Sequence, residues 1–476
     1  MKKNDIIEGE IISYGTDGEG VLKTDGYTVF VPFAIKGEKV KAHVLKCGKN
    51  IAFAKLEQVL SPSEKRVTPT CSVFKKCGGC ALLHMKYGEQ LCFKSALIKN
   101  AFEKIGFISV DPPEIINSEP ILGYRLKLAL PVRAGEKGDV KIGFFASNSH
   151  RVVETENCAL HGEWAAKTIS ALKDYMRAFN IEAYNETSKR GKIRHIVVKK
   201  SGDEFLIVLV TKSEKLPNLG YFVERLNKCL GKHSLYINLN TRDDNVIFGE
   251  KFVLISGEGR IEGCWRGITY EIGPQSFMQV NESVKNKIYG DALDFLDENQ
   301  TVIDAYCGAG LLTAAIAQKS KKVVGVEIVE EAVNLARELV RKNNIENAEF
   351  ICAPCEIALP PLIEKLKNDG QKTVLFLDPP RKGADRAAIE AIIKARPDEI
   401  VYISCNPQTL ARDVGLITGT LKINGKEIVK GVERAVETRM DSTVFSGGYK
   451  ICKVCGYDMF SGCAGVETLC VLKKVD

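Results

Sequence analysis

A cysteine at position 405 stands at a predicted corner between a strand and a helix. The apolar residues 400–403 before it are typical of a buried strand, whereas Asn406 and Pro407 after it suit the N-cap and the first position of a helix. The thiol would face the positive end of the helix dipole, which lowers the pKa of a cysteine and favours the nucleophilic thiolate. Since a single cysteine is more often a small buried apolar residue, the rest of the chain must decide between the two interpretations.

Two carboxylates follow other predicted strands of the same region. Glu327 and Asp378 each end an apolar run, and the carboxyl ends of parallel strands meet at the edge of a sheet where ligands bind. Residues 304–310 form a turn whose glycines let the backbone approach a ligand, although Thr313 stands where a dinucleotide fingerprint has its third glycine. Nicotinamide, flavin and S-adenosylmethionine enzymes share such turns. A carboxylate and a thiolate beside a nucleoside-type cofactor indicate group transfer rather than hydride transfer.

The elements that must position these side chains change character along the chain. Residues 1–59 contain short strand-like runs separated by glycine and aspartate, which predict a small β-barrel. Residues 60–275 contain a polar linker, a cysteine-rich segment and a mixed α+β region. In residues 276–476 strands alternate with helices, which predicts a parallel sheet, and the last two strand-like runs have no helix between them. We therefore predict an α/β protein whose final sheet ends in an antiparallel pair.

The composition is ordinary for a globular protein. The 476 residues suggest about three domains, with 45% hydrophobic and 27% charged residues. No apolar stretch is long enough to cross a bilayer and no signal-peptide run follows the first residues, so we expect a cytoplasmic protein without a membrane partner. The 16 cysteines then indicate metal, cluster or catalytic roles rather than disulfides. A net charge of +7 is compatible with a polyanionic partner and equally with a solvated surface.

Four cysteines have a spacing that suits a metal or an iron–sulfur site. Cys71, Cys77 and Cys80 lie close together in the pattern C-x5-C-G-G-C, and Cys158 is distant in sequence. Four thiolates suit either structural zinc or an iron–sulfur cluster. Zinc sites usually combine two close pairs, so three local ligands and one distant ligand favour a cluster over zinc and over unligated cysteines. We assign no role to Cys463.

Taken together, four segments resemble the RNA (uracil-5-)-methyltransferases that use S-adenosylmethionine, in particular the iron–sulfur-containing 23S rRNA branch. The resemblance covers most of the chain and depends on the order of the segments as well as on their residues. The segments are Pro-Gln-Ser-Phe-Met-Gln-Val-Asn at 274–281, Asp-Ala-Tyr-Cys-Gly-Ala-Gly at 304–310, Asp-Pro-Pro-Arg at 378–381 and Ser-Cys-Asn-Pro at 404–407.

The resemblance implies a domain organisation. Residues 1–59 are expected to form a TRAM domain, an RNA-binding barrel of the oligonucleotide-fold type. Residues 60–275 are expected to form a central α+β domain that holds a [4Fe-4S] cluster. Residues 276–476 are expected to form a Rossmann-like S-adenosylmethionine methyltransferase domain.

The resemblance also implies roles for individual residues. The second catalytic residue of the family is a Glu in a motif similar to Asp-Met-Phe-Pro-x-Thr-x-His-Val-Glu, and residues 458–467 keep this spacing, which selects Glu467 rather than leaving it a surface carboxylate. Ser461, Cys463 and Gly465 stand where the family has Pro, Thr and His. The remaining roles implied are the nucleophile for Cys405, cofactor binding for Gln279, Tyr306, Glu327 and Asp378, and cluster ligation for Cys71, Cys77, Cys80 and Cys158.

The expected reaction is methylation of C5 of a uridine in structured RNA, with 23S rRNA as the favoured substrate. Cys405 would add to C6 of the uracil ring, and Glu467 would remove the C5 proton after methyl transfer. The same chemistry on tRNA is an alternative, and a catalytically impaired RNA-binding protein is an alternative of another class. We expect RNA to be the partner and no obligate protein partner. Residues from about 414 to 446 are longer than the usual link of the family and are expected to form a surface excursion.

Overall fold

The computed structural model describes residues 1–135, 139–429, 432–439 and 448–475, with the side chains of residues 423–429 and 432–439 left out. Among these residues, no helix combines the length and the apolar character needed to cross a membrane. The described part of the expected insertion at about 414–446 contains the end of a helix and a two-stranded hairpin. Residues 430–431 and 440–446 of the insertion lie outside the described part of the chain.

The N-terminal region forms one sheet of six strands in the order β1-β5-β6-β4-β3-β2, in which β4 and β6 are parallel and the other neighbouring strands are antiparallel. Val40, Ala42 and Val44 alternate with more exposed residues along β5, so a single face supplies the core. The Ile12 amide donates to the carbonyl of Val21 at 2.8 Å, which joins the segment between β1 and β2 to β3. The strands are β1 (Ile6–Glu10), β2 (Ser13–Tyr14), β3 (Gly20–Thr24), β4 (Tyr27–Val31), β5 (Lys39–Cys47) and β6 (Ile51–Ser61).

The central region is built on a mixed sheet of seven strands in the order β10-β9-β8-β11-β12-β13-β14. Two helices cover it, and the middle strands β11 and β12 are buried along most of their length, with β12 mainly apolar. The elements are α1 (Tyr87–Lys104), β7 (Ile115–Ile116), β8 (Lys127–Ala134), β9 (Val140–Phe145), β10 (Val152–Glu154), α2 (Glu163–Ala178), β11 (Ile193–Ser201), β12 (Glu204–Thr211), α3 (Leu219–Leu230), β13 (His233–Leu239), β14 (Lys251–Ser256) and the hairpin β15 (Ile261–Trp265) and β16 (Ile268–Ile272).

The C-terminal sheet has the order β19-β18-β17-β20-β21-β25-β24-β7. Strands β17 to β21 are parallel, and β25 is antiparallel to both β21 and β24, which confirms the predicted parallel sheet with an antiparallel end. The elements are α4 (Glu282–Leu293), β17 (Thr301–Ala305), α5 (Leu311–Ala317), β18 (Lys322–Glu327), α6 (Glu330–Lys342), β19 (Ala348–Cys352), α7 (Cys355–Asn368), β20 (Thr373–Leu377), α8 (Arg386–Ala395), β21 (Glu399–Ser404), α9 (Pro407–Thr418), β22 (Leu421–Val429), β23 (Val432–Arg439), β24 (Tyr449–Tyr457) and β25 (Glu467–Lys474).

Two elements from the region between the barrel and the central sheet belong to the C-terminal sheet in space. Helix α1 buries Ile98 and Phe102 in the same apolar core as Leu410 of α9. Strand β7 pairs with β24, with Ile115 opposite Gly456. The chain therefore connects to the sheet that carries the candidate site before it builds the central sheet.

Candidate active site

Cys405 directly follows β21 and precedes α9, as predicted. Asn406 is the N-cap of the helix, and its side-chain oxygen accepts a hydrogen bond from the Gln408 amide at 3.0 Å. Pro407 occupies the first turn, where its missing N–H has no intrahelical partner to lose. The N-cap and the first-turn proline therefore begin α9 as the sequence predicted.

The electrostatic environment of Cys405 differs from the expectation. The pKa of the thiol is raised to about 11, mainly by burial and then by the Glu467 carboxyl, with a smaller contribution from Asp378 and an opposing one from the Arg381 guanidinium. The predicted lowering of the thiol pKa is therefore wrong for the protein without ligands. Desolvation and two carboxylates outweigh the partial positive charge of one helix N-terminus.

Glu467 lies beside Cys405 at the same end of the sheet. Ser404 pairs with Thr468 in the antiparallel register of β21 and β25, so the next residue on each strand brings Cys405 and Glu467 side by side. Glu467 is only 5% exposed. Burial raises the pKa of its carboxyl to about 8, with a contribution from Asp378 and an opposing one from Arg381. A carboxyl with this pKa exchanges its proton close to neutral pH, and its ionised form can act as a base.

Asp378 and Gln279 belong to the same group of side chains. Asp378 follows β20, and burial raises the pKa of its carboxyl to about 7. The Gln279 side chain acts on the hydroxyl of Tyr289, a buried residue of α4: burial raises the pKa of Tyr289, Asp378 and Glu467 raise it as well, and Gln279 lowers it. Tyr289 was not among the predicted site residues, because nothing in the helix pattern distinguishes it from a core tyrosine.

The glycine-containing turn after β17 lies at the neighbouring strand end. Tyr306 and Gly310 have positive φ angles of 63° and 81°, and a Cβ at Gly310 would lie 2.8 Å from the Cβ of Ala336. Thr313, at the position of the missing third glycine, donates a 2.5 Å hydrogen bond to the carboxyl of Asp304. Burial raises the pKa of Asp304 to about 7. The threonine therefore satisfies a buried carboxyl instead of opening space for a pyrophosphate.

The Glu327 carboxylate connects this turn to the end of β18 through hydrogen bonds. One carboxylate oxygen accepts from the Gly308 amide at 3.1 Å. The other oxygen accepts from the amides of Ile328 and Val329 at 2.8 and 2.9 Å. Because an ionised carboxylate has about four lone-pair positions, Glu327 retains capacity for a further donor.

The segment that carries Gln279 is held from the central sheet by a buried lysine. Lys199 of β11 donates from Nζ to the carbonyls of Gly273, Pro274 and Ser276 at 2.8, 2.9 and 2.6 Å. Burial lowers the pKa of Lys199 to about 7. Phe277, the next residue of the segment, is 81% exposed. Sequence reasoning placed Lys199 only at the end of a strand.

The four predicted cluster cysteines line one cavity, away from Cys405, together with Arg125 and His161. The Nδ1 atom of His161 is buried there without a hydrogen-bond partner. In the described residues, no group of three or more His, Cys, Asp and Glu side chains has the arrangement that a single metal ion requires. The cavity lining is Cys71, Val73, Phe74, Cys77, Gly79, Cys80, Leu83, Arg125, Phe144, Thr155, Cys158, Ala159, Leu160 and His161.

Cys463 contacts the rim of this cysteine cavity. Its sulfur accepts from the Arg125 guanidinium at 3.3 Å and donates to the carbonyl of Gly79 at 3.0 Å. The residue that stands in place of the family's Thr therefore joins the loop before Glu467 to the cysteine-rich segment.

Comparison with known proteins agrees with the motifs. The family described as tRNA (Uracil-5-)-methyltransferase matches residues 86–431, and the TRAM domain matches residues 7–56. An uncharacterized RNA methyltransferase of Clostridium tetani (strain Massachusetts / E88) is 38% identical over 478 residues, covering 99% of this chain and 97% of the relative. Another, from Clostridium acetobutylicum, is 37% identical over 485 residues, covering 100% of this chain and 98% of the relative.

A solved structure extends the comparison to the whole fold. The tRNA (uracil-54, C5)-methyltransferase of Pyrococcus abyssi, in complex with S-adenosyl-L-homocysteine, has a TM-score of 0.75 and 25% sequence identity, covering 98% of this chain and 99% of that chain. These comparisons confirm the predicted family and the N-terminal TRAM domain, while the 23S rRNA and iron–sulfur branch stays a prediction. The protein is an RNA methyltransferase, and its chain belongs to the tRNA (uracil-5-)-methyltransferase family.

Proposed function

We propose that this protein methylates C5 of a uridine in structured RNA, with 23S rRNA as the favoured substrate, through a covalent adduct between Cys405 and C6. The observation that carries the proposal is the adjacency of the Cys405 thiol and the buried Glu467 carboxyl at the end of β21 and β25. The site is at the carboxyl ends of parallel strands, where such sheets bind their ligands. We place the enzyme in the cytoplasm, with its RNA substrate.

The two side chains have complementary tasks. The Cys405 thiolate would add to C6, and the resulting enolate carbon C5 would take the methyl group as the carbon–sulfur bond of the donor breaks and the neutral thioether S-adenosyl-L-homocysteine leaves. Glu467 then removes the C5 proton, the C5–C6 double bond re-forms and the thiolate leaves. The ring must be turned out of any base stack before the thiolate can reach C6.

Four residues are proposed to bind S-adenosylmethionine, which would supply the methyl group and, as a cation, would favour the ionised form of a nearby thiol. The free acceptor position of Glu327 suits a ribose hydroxyl. The positive φ of Gly308 in the adjacent turn supports close approach of the ligand to the backbone. The proposed set is Gln279, Tyr306, Glu327 and Asp378.

We also propose that Cys71, Cys77, Cys80 and Cys158 hold a [4Fe-4S] cluster. Their meeting in one cavity supports this proposal, because four cysteine thiolates are the ligand set of such a cluster. Bound there, the cluster would cross-link the cysteine-rich segment to the segment that carries Cys158. Anaerobically purified protein should be brown and contain iron and sulfide, and stoichiometric zinc without visible absorbance would contradict the assignment.

A second candidate substrate is tRNA, which the resemblance to the Pyrococcus abyssi enzyme favours. Transfer of labelled methyl groups to transcribed 23S rRNA and to transcribed tRNA, followed by mapping of 5-methyluridine, distinguishes the two. Cys405→Ala should abolish transfer, while Cys452→Ala, an exposed cysteine of β24, should leave it unchanged. Near-normal turnover by Cys405→Ala would overturn the mechanism, and absence of transfer by the wild type to either RNA would favour a catalytically impaired RNA-binding protein.

A further inference from the structure

The position of Glu467 depends on the loop that precedes it. Residues 458–466 connect β24 to β25 through consecutive turns, and Glu467 is the first residue of β25. Residues 458–466 themselves belong to no strand. Tyr457 pairs with Glu467 at the end of the β24 and β25 ladder, so contacts that hold Asp458 and the loop act on the end of the ladder that carries the Glu467 carboxyl.

An ion pair without solvent exposure holds the beginning of the loop. Lys94 of α1 and Asp458 both have fully buried side chains, and the Lys94 ammonium donates to one carboxylate oxygen of Asp458. The same ammonium donates to the carbonyl of Phe460 at 3.0 Å. The hydroxyl of Tyr87 donates to the other oxygen of Asp458 at 2.8 Å. Two side chains of one helix thus fix both the carboxylate and the backbone of the loop.

Further contacts hold the middle of the loop against the same part of the chain. The Gln90 side-chain oxygen accepts from the Gly462 amide at 3.0 Å, and the Leu82 amide donates to the Gly462 carbonyl at 2.9 Å. The hydroxyl of Tyr124 donates to the Ser461 carbonyl at 2.9 Å. The loop is therefore attached at several backbone positions to α1 and to the cysteine-rich segment.

The network continues to the segment that carries Gln279. The Tyr87 hydroxyl accepts from the Ser118 amide at 2.7 Å, and the Ser118 hydroxyl accepts from the Asn281 side chain at 2.8 Å. Asn281 is the N-cap of α4, with its side-chain oxygen accepting from the Val284 amide at 3.3 Å. One chain of hydrogen bonds therefore joins the loop before Glu467 to the end of the proposed cofactor segment.

We propose that Lys94, through Asp458, is a positioning residue for the step in which Glu467 removes the C5 proton. The inference rests on the proposed function and deepens it. A buried ion pair adds little net stability compared with apolar residues of the same volume, but it defines a single geometry for the groups that it joins. Lys94 contacts no reacting atom, so its effect must appear through the placement of Glu467.

The test separates the two chemical steps. Lys94→Met combined with Asp458→Asn removes both charges and leaves no unpaired buried ion. With radiolabelled donor and RNA, single-turnover assays measure the appearance of labelled methyl in a denaturant-resistant adduct and the decay of that adduct to free RNA. We expect adduct decay to slow by roughly 10- to 100-fold, because displacement of a catalytic group by about 1 Å costs up to this much. The appearance of the adduct should change by less than about threefold.

A matched control uses another buried ion pair outside the proposed site. Arg66 donates from Nε to Glu38 at 2.6 Å, and Glu38 is fully buried. Arg66→Met combined with Glu38→Gln should change the rate of adduct appearance and the rate of adduct decay by the same factor. Tyr87→Phe removes the hydrogen bond that the hydroxyl donates to Asp458 and the one that it accepts from the Ser118 amide, and it keeps the Lys94–Asp458 ion pair. It should slow adduct decay by a few-fold while leaving the fold intact.

The outcomes are distinguishable. Selective accumulation of the methylated adduct in the Lys94 and Asp458 double variant supports the inference. Equal slowing of both steps, or no slowing, in a folded double variant contradicts it, and if the double variant does not fold, Tyr87→Phe decides in the same way. Failure of the wild type to form any adduct at Cys405 would instead overturn the proposed function.

Discussion

Cys405 and Glu467 are neighbours because Ser404 pairs with Thr468 across the antiparallel junction of β21 and β25. The parallel part of the sheet supplies the thiol, and the final antiparallel strand supplies the carboxyl. Their charges are linked, since the Glu467 carboxylate raises the pKa of the Cys405 thiol. A nucleophile and a base that act in successive steps are thus held by one strand register.

Replacement of Glu467 by Gln should stop the reaction after methyl transfer. The amide retains the shape of the side chain but cannot accept the C5 proton, so the methylated RNA should remain attached to Cys405. Denaturing gel electrophoresis with labelled donor measures this adduct. The matched control is Glu399→Gln, a buried carboxyl at the other end of β21, which should accumulate no adduct. Release of free product by Glu467→Gln at the wild-type rate would contradict the assigned role.

The decay of the adduct should depend on pH through Glu467. The carboxyl must be ionised to accept a proton, and burial raises its pKa to about 8. The decay rate should therefore increase as the pH rises towards about 8 and level off above it. A rapid-quench series between about pH 6 and pH 9 measures the profile. A rate that is constant over this range would show that another group removes the proton.

The pH dependence of the stability of the protein should also reflect the ionisation of the Glu467 carboxyl. Because the pKa of Glu467 in the folded state lies above the ordinary value, its contribution to stability is fully present below the unfolded pKa and is lost as the pH rises through about 8. Because Gln does not ionise, the Glu467→Gln variant lacks this loss of stability at high pH. The melting temperature of the variant should therefore exceed that of the wild type, with a difference that grows between pH 5 and pH 8 (roughly the two pKa values). A difference that shrinks with increasing pH would contradict the assignment.

Lys199 should control cofactor binding through the segment that carries Gln279. Lys199→Met removes three hydrogen bonds to the carbonyls of Gly273, Pro274 and Ser276. We expect the Kd for S-adenosylmethionine, measured by calorimetry, to rise about tenfold, which corresponds to about 1.4 kcal/mol. Lys200→Met is the matched control, because Lys200 donates to Gly202 instead and should leave the Kd unchanged.

Phe277 should contribute to RNA binding rather than to cofactor binding. Phe277 is 81% exposed and lies in the same segment as Gln279, and stacking of a base on an aromatic side chain is worth about 1–3 kcal/mol. Phe277→Ala should weaken RNA binding by roughly 5- to 150-fold in a filter assay, without changing the Kd for S-adenosylmethionine. Leu254→Ala, at another exposed apolar residue, provides the control. Unchanged RNA binding by Phe277→Ala would contradict this role.

The features that the sequence predicted correctly depend on neighbours along the chain. Asn406 and Pro407 begin α9 as expected, because an N-cap and a first-turn proline act on their own helix. The alternation of strands and helices predicted the parallel sheet for the same reason. The motifs predicted the family, and the spacing of residues 458–467 selected the carboxyl that the fold brings beside Cys405.

Other features could not be read from the sequence, because they join residues that are distant along the chain. The thiol pKa is raised rather than lowered, since the fold buries Cys405 beside Glu467 and Asp378. Lys94 meets Asp458 across 364 residues. Local patterns determine caps, periodicity and the order of elements, whereas desolvation and charge pairing exist only once tertiary packing has removed water and placed distant groups in contact.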